Sequence, residues 1–218
     1  HNIALMLSKA VWVLAPEVEQ SGASHQLTPH LPVRVRKIPA RRFAVSGTPT
    51  DCVLLALREI IPSTLSRRER VTPKASGEGG AVGDALTPTP LPEGEGEIDL
   101  VLSGVNRGSN VGDDITYSGT IAAAMEGAIL GVPSIALSQL GEDSGKLHWP
   151  TAKRHAPPLI KKLIKTGWPK DTLINVNFPE CPPDKVKGVR VCRQGKRMVS
   201  VQLTGRIDPK GRPYLWIG

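Results

Sequence analysis

Aromatic side chains, paired cysteines and long apolar runs are all scarce in this 218-residue chain. Aromatics account for 4% of it against 39% hydrophobic residues, so its apolar mass is aliphatic: Val, Ile, Leu and Ala. That composition suits buried parallel strands and the helices that cover them better than a β-sandwich. The lack of aromatics also bears on partners. A net charge of +8 could serve a polyanion. The basic residues, however, fall into small separate groups, Arg34, Arg36, Lys37, Arg41 and Arg42, then Lys161, Lys162 and Lys165, then Lys185 through Arg197, with no interleaved rings on which bases could stack. Nucleic-acid binding is not expected.

Cysteine is limited to Cys52, Cys181 and Cys192, an odd number without a CxxC pair, which argues against both a disulfide framework and a zinc site and points to a reducing cytoplasm. No apolar run approaches the roughly 18 residues of a membrane span. No charged segment precedes a short apolar stretch at the start, so a soluble, unsecreted protein with no membrane partner is expected.

What is present reads as one α/β domain over residues 1–218. His1 to Ala10 carries apolar residues at Ile3, Leu5, Met6 and Leu7 and runs into Val11-Trp12-Val13-Leu14, the tail of a helix feeding a strand. Short strands are expected around Leu31 to Ile38 and Phe43 to Val45. A helix over Cys52 to Ile61 should follow, capped by Thr50 or Asp51 and ended by Pro62. Between Pro73 and Gly96, ten of twenty-four residues are Gly or Pro. Such a stretch cannot bury enough apolar surface to offset its chain entropy, so residues 66–97 are predicted to be a disordered insertion.

Beyond it, Ile98 to Ser103 is strongly strand-like, and Gly104 to Asp114 reads as a Gly-, Asn- and Asp-rich loop. A helix over Ser118 to Leu130, stopped by Gly131 and Pro133, leads to the strand Ser134 to Ser138. This β-loop-α-β order implies a parallel crossover. A helix over Thr151 to Thr166, a strand over Thr172 to Asn177 and paired short strands over Val189 to Val201 complete the pattern. The last of these belongs to a smaller β-rich extension, residues 182–218.

In an open parallel sheet, ligands sit beyond the carboxyl ends of the strands. Two loops fit. Ala15-Pro16 through Ser21-Gly22-Ala23-Ser24 presents hydroxyls and a glycine. Ser103-Gly104-Val105-Asn106-Arg107-Gly108-Ser109-Asn110 offers permissive glycines and neutral amide oxygens. Tyr117-Ser118-Gly119-Thr120 then opens a helix whose free N–H groups make an anion site, although Ser118 could equally be an ordinary N-cap.

Those phrases, with Val13-Leu14-Ala15-Pro16, Gly47-Thr48-Pro49-Thr50-Asp51-Cys52, Gly112-Asp113-Asp114, Met125-Glu126-Gly127 and Asn175-Val176-Asn177-Phe178-Pro179, resemble the SurE family in order and spacing. The resemblance covers nearly the whole chain except Ser66 to Glu97. It implies a Rossmann-like three-layer α/β/α fold with a mostly parallel sheet, and a C-terminal extension used in oligomerisation as a dimer or tetramer. It also implies a phosphatase that removes phosphate from nucleoside 5′- or 3′-monophosphates with one Mg²⁺ or Mn²⁺ per subunit. Carried over, Ser21 and Asn106 would hold the metal, and Gly104, Asn110, Ser118, Gly119 and Thr120 would meet the phosphate.

The departures are specific. The family's acidic pair stands in an Asn-Asp-Asp-Gly turn after its first strand, and no such turn occurs in this sequence; its place lies upstream of His1. Asp113-Asp114 matches a different, noncatalytic motif, and His25 stands where the family usually has Asn. Three expectations follow from the missing pair and strand. Hydrolysis by these 218 residues should be impaired; the noncatalytic alternative is a nucleotide-binding or oligomerisation module. Unpaired backbone groups in the sheet, at about 1–3 kcal/mol each, should weaken the fold.

Overall fold

The computed structural model describes residues 2–62, 98–141, 147–196 and 203–217. The elements in chain order are α1 (Asn2–Leu5), β1 (Val13–Pro16), β2 (Val35–Ile38), β3 (Arg42–Val45) and α2 (Pro49–Leu55), which continues as a π-helical turn over Ala56–Ile60. Then come β4 (Val101–Arg107), a 3₁₀ turn over Gly112–Thr116, α3 (Gly119–Ile129), β5 (Ser134–Gln139), α4 (Trp149–Thr166), β6 (Leu173–Phe178), β7 (Leu203–Ile207) and β8 (Pro213–Ile217). The predicted insertion at 66–97 lies outside the described residues.

Strands β4, β5 and β6 form a parallel sheet in that order, and β1 pairs parallel with β3, whose other side carries antiparallel β2. Among the described residues β1 and β4 are therefore each laddered on one side only. Side chains alternate across a strand, and β5, buried along its whole length, shows what that does. Ile135 and Leu137 pack with Ala152, Ala156 and Ile160 of α4 and with Ile3 of α1, while Ala136 packs with Ile121 and Ala124 of α3. Helices thus cover both faces of β5, the three-layer arrangement expected of a Rossmann-like α/β fold. Burying Ile135 and Leu137 contributes about 1.5–3 kcal/mol each. The approach of α3 to the sheet requires Gly127, where a Cβ would run into the Ser134 hydroxyl and Val101.

Three local expectations are corrected. Strand β4 starts at Val101, not Ile98, because Val101 already pairs with Ser134, the first residue of β5. It then runs through a register shift between Ser103 and Asn106 to Arg107, so Gly104 and Asn106 lie in the strand and not in a loop. Helix α2 is capped by Thr48, not by Thr50 or Asp51. With Pro49 preset for the first turn, the Thr48 hydroxyl accepts from the Asp51 N–H and the Asp51 carboxylate accepts from the Thr48 N–H, a capping box. Finally, residues 189–196 form no strand. The antiparallel hairpin is β7–β8, turned at Asp208, whose Oδ1 accepts from the N–H groups of Lys210 and Arg212.

Candidate functional site

Helix α3 starts as its sequence dictates. Ser118 is extended, and its hydroxyl accepts from Ile121 N at 3.2 Å. The N–H groups of Gly119 and Thr120 belong to the first turn, whose N–H groups have no partner within the helix, and stand at the positive end of the helix dipole. Gly119 is buried, and a Cβ there would lie 2.9 Å from Pro49 Cγ and 3.5 Å from the Gln20 carbonyl oxygen. The start of α3, the start of α2 and the loop after β1 therefore converge on one glycine. No local sequence pattern announces this close approach.

The end of β4 joins the same place. Thr120 Oγ1 donates to Asn106 Oδ1 at 3.3 Å, and Asn106 Nδ2 donates to the Gly108 carbonyl at 3.0 Å. Of the predicted residues, Asn106, Ser118, Gly119 and Thr120 are thus gathered around one helix terminus. Gly104 is placed differently: it sits within β4 at φ 111°, against the Leu137 carbonyl, in a conformation and at a spacing that suit glycine. Asn110 is buried at 4% exposure, and its side chain donates to Ser138 Oγ at 2.7 Å. Ser21 is exposed, and its hydroxyl donates to Glu19 Oε1 at 3.2 Å.

The loop that carries Ser21 is fastened at several points. Ser24 donates through its backbone N–H to the Tyr117 carbonyl and through its hydroxyl to the Thr116 carbonyl, just ahead of α3. His25 Nε2 lies 3.0 Å from Glu126 Oε2 on the buried side of α3. Thr48 Oγ1 donates to the Gln26 carbonyl, and Thr28 donates through both its N–H and its hydroxyl to the Asp51 carboxylate. Burial alone would push the Asp51 pKa up. The hydrogen bonds from Thr28 and Thr48 outweigh it and hold the carboxyl below its usual value of 3.8. Burial, reinforced by the Asp51 charge, pushes the neighbouring Cys52 thiol up to about 12, which leaves it an inert core residue. Glu126, Asp51 and Thr28 were missed as members of this assembly. Only the Thr48–Asp51 spacing carried a readable signal, that of a capping box.

The Survival protein SurE family matches residues 2–72 and 85–201 of the chain. The chain belongs to the SurE family. It is 48% identical to the 5′-nucleotidase SurE of Parvibaculum lavamentivorans over all of its own length and 68% of that protein. It is 46% identical to the 5′-nucleotidase SurE of Paramagnetospirillum magneticum, covering 72% of that relative. The crystal structure of the SurE protein from Aquifex aeolicus is similar to it with a TM-score of 0.68 and 37% identity, over 94% of this chain and 69% of that one. The SurE resemblance read from the motifs and the α/β fold expected from it are both borne out.

Among the described residues no three His, Cys, Asp or Glu side chains gather closely enough to hold a metal ion, and no helix is long and apolar enough to cross a membrane. A hard divalent cation is held mainly by carboxylate oxygens. Ser21 and Asn106 offer neutral ones, so the described residues do not by themselves fit a resident Mg²⁺ or Mn²⁺.

Proposed function

We propose that this SurE-family chain is a 5′-nucleotidase, a phosphatase that hydrolyses nucleoside 5′- or 3′-monophosphates to nucleoside and phosphate. The observation that carries the reading is the convergence on the first turn of α3. The first-turn N–H groups of Gly119 and Thr120, the Thr120 hydroxyl and the Asn106 amide meet there, in a chain 46–48% identical to proteins named 5′-nucleotidase SurE. The first-turn N–H groups hold phosphate oxygens by hydrogen bonds and by the helix dipole, the Thr120 hydroxyl joins them by turning from Asn106 Oδ1 to the phosphate, and together they fix the phosphorus for attack by water. The first turn also favours charge that builds on the phosphoryl oxygens. A divalent cation, Mg²⁺ or Mn²⁺, is part of the proposal. Its carboxylate ligands are not among the described residues, and the residues named here act by binding and orientation.

The test is equilibrium binding of AMP and GMP to the purified protein, with phosphate release measured in the presence of Mg²⁺, Mn²⁺ or EDTA. Binding that weakens about tenfold in Thr120→Val is expected, since each lost charge-assisted hydrogen bond is worth roughly a factor of ten, and metal-dependent release should be slow, because the described residues offer no cluster of carboxylates to hold the cation. Absence of nucleotide binding at millimolar concentration overturns the reading.

A homo-oligomer belongs to the same proposal. Hairpin β7–β8 exposes Leu203, Ile207 and Leu215 on one face at 63–71% and Trp216 on the other at 61%, apolar groups that a second copy of the chain would cover. A dimer or tetramer in sedimentation, dissociated by Leu215→Ser with Trp216→Ser, is expected; a monomeric wild type overturns it. The cytoplasm is the proposed compartment, in keeping with three free cysteines.

A further inference from the structure

The Asn175-Val176-Asn177 stretch at the end of β6 has no part in the site described so far. Its two amides share one face of the strand, as residues i and i+2 do. Both reach the same backbone unit. Asn177 Oδ1 accepts from Asn110 N at 2.8 Å, Asn177 Nδ2 donates to the Asn110 carbonyl at 3.1 Å, and Asn175 Nδ2 donates to that carbonyl at 2.8 Å. Asn175 Oδ1 in turn accepts from Asn177 Nδ2 at 3.2 Å, which sets the two amides relative to each other. The Asn110 side chain completes the node by donating to Ser138 Oγ on β5.

Asn110 lies midway along the segment that leads from Asn106 to the cap at Ser118. Upstream, Gly108 N donates to the Gln139 carbonyl at 3.0 Å. Downstream, the 3₁₀ turn Gly112–Thr116 delivers the chain to Tyr117 and the start of α3. The segment is thus attached to β5 and β6 at its middle and to α3 at both ends, through the Thr120–Asn106 bond and the Ser118 cap. A backbone unit held by three side-chain hydrogen bonds near the sheet has little freedom, because each buried bond left unmade is costly.

We infer that Asn175 and Asn177 are positioning residues of the phosphate site, fixing Asn110 so that Asn106 and the first turn of α3 keep their mutual geometry. The inference rests on the nucleotidase reading for its kinetic part and on the hydrogen bonds alone for its structural part. It identifies a role for side chains that touch no substrate. Affinity for the phosphate group depends on them at a distance, since misplacing binding groups by about 1 Å can cost on the order of a hundredfold in rate.

The experiment compares wild type with Asn177→Ala, Asn177→Asp and Ser138→Ala by hydrogen exchange and by steady-state kinetics on AMP. In Asn177→Ala the amides of residues 110–117 should exchange about tenfold faster or more, while those of β5 keep their protection. KM for AMP should rise about tenfold, with kcat changed less than about threefold. Asn177→Asp keeps the acceptor for Asn110 N but faces the Asn110 carbonyl with an oxygen, so it should fall between Asn177→Ala and wild type. Ser138→Ala loses only the side-chain tether and should show the smallest effect. Unchanged exchange at 110–117, a uniform rise across the whole chain, or faster local exchange with unaltered KM would each overturn the inference. Where the wild type turns over no nucleoside monophosphate, AMP binding replaces KM as the quantity compared, and absence of AMP binding at millimolar concentration overturns the nucleotidase reading instead.

Discussion

The two loops that meet at the first turn of α3 are held by different chemistry. The loop after β1 is fastened by carboxylates: Asp51 accepts from both donors of Thr28, and Glu126 meets His25. The segment after β4 is fastened by neutral amides, with Asn175, Asn177 and Ser138 surrounding Asn110. Carboxylates can accept several hydrogen bonds at once and accept them more strongly than a neutral oxygen does. Asp51 uses that capacity by serving two elements, the cap of α2 and the loop. Amides donate and accept together, and this lets Asn177 satisfy both the N–H and the carbonyl of a single residue. One loop is therefore held by groups that titrate and the other by groups that do not.

The sharpest way to break the comparison is to remove the shared carboxylate. Asp51→Ala leaves the N–H groups of Thr28 and Thr48 without their acceptor and destroys the capping box. A loss of about 2–4 kcal/mol is expected, from roughly 1 kcal/mol for the cap and 1–3 kcal/mol for orphaned donors. Urea unfolding followed by circular dichroism measures it. A cost below about 1 kcal/mol would show that water replaces the carboxylate without penalty and that Asp51 is not the anchor of this loop.

The next effect is one of pH. Hydrogen bonds hold the Asp51 carboxyl below 3.8 in the folded chain. A group whose folded pKa is depressed contributes stability above its unfolded pKa and loses it as pH falls through the lower, folded value. The stability difference between wild type and Asp51→Asn should therefore be flat above about pH 5 and shrink below pH 3.8. The difference between wild type and Asn177→Ala should not change over the same range. Parallel decline of both would dissolve the distinction between the two loops.

How much of this was legible in the sequence follows the range of the contacts involved. Helix α3 was readable because Ser118, Gly131 and Pro133 mark its ends by local rules, and the parallel pairing of β4 with β5 followed from the element order. The extent of β4 was not, because it depends on where β5 begins, some thirty residues on. The Asn110 node joins residues 67 apart, and the His25–Glu126 contact joins residues 101 apart. No periodicity specifies either. Asn175 and Asn177 did leave a trace, since two amides on the same face at the end of a strand are unusual in an apolar run and needed a partner. The apolar hairpin was expected in the wrong place because Val189 and Val191 alternate with basic residues as a strand would, yet in the folded chain both are exposed and unladdered.

The smallest expected effect separates charge from geometry in the first loop. His25 is a third exposed on its side chain while Glu126 is buried, so their contact lies at the edge of solvent and the Coulombic part of it is weak. Glu126→Gln keeps an oxygen able to accept from His25 Nε2 and removes the charge. It should cost only about 0.5 kcal/mol and leave AMP affinity within about twofold of wild type, because a hydrogen bond of ordinary strength survives. Glu126→Ala removes the acceptor, leaves a gap beside α3 and frees the loop between Ser24 and Gln26, so it should cost about 1–2 kcal/mol. If the two variants were equally destabilised, the charge itself would be what holds His25, and the first loop would owe its position to a carboxylate charge at both of its anchors. If only the alanine variant suffers, the ionised character of this loop is concentrated at Asp51, where two threonines keep the carboxylate charged.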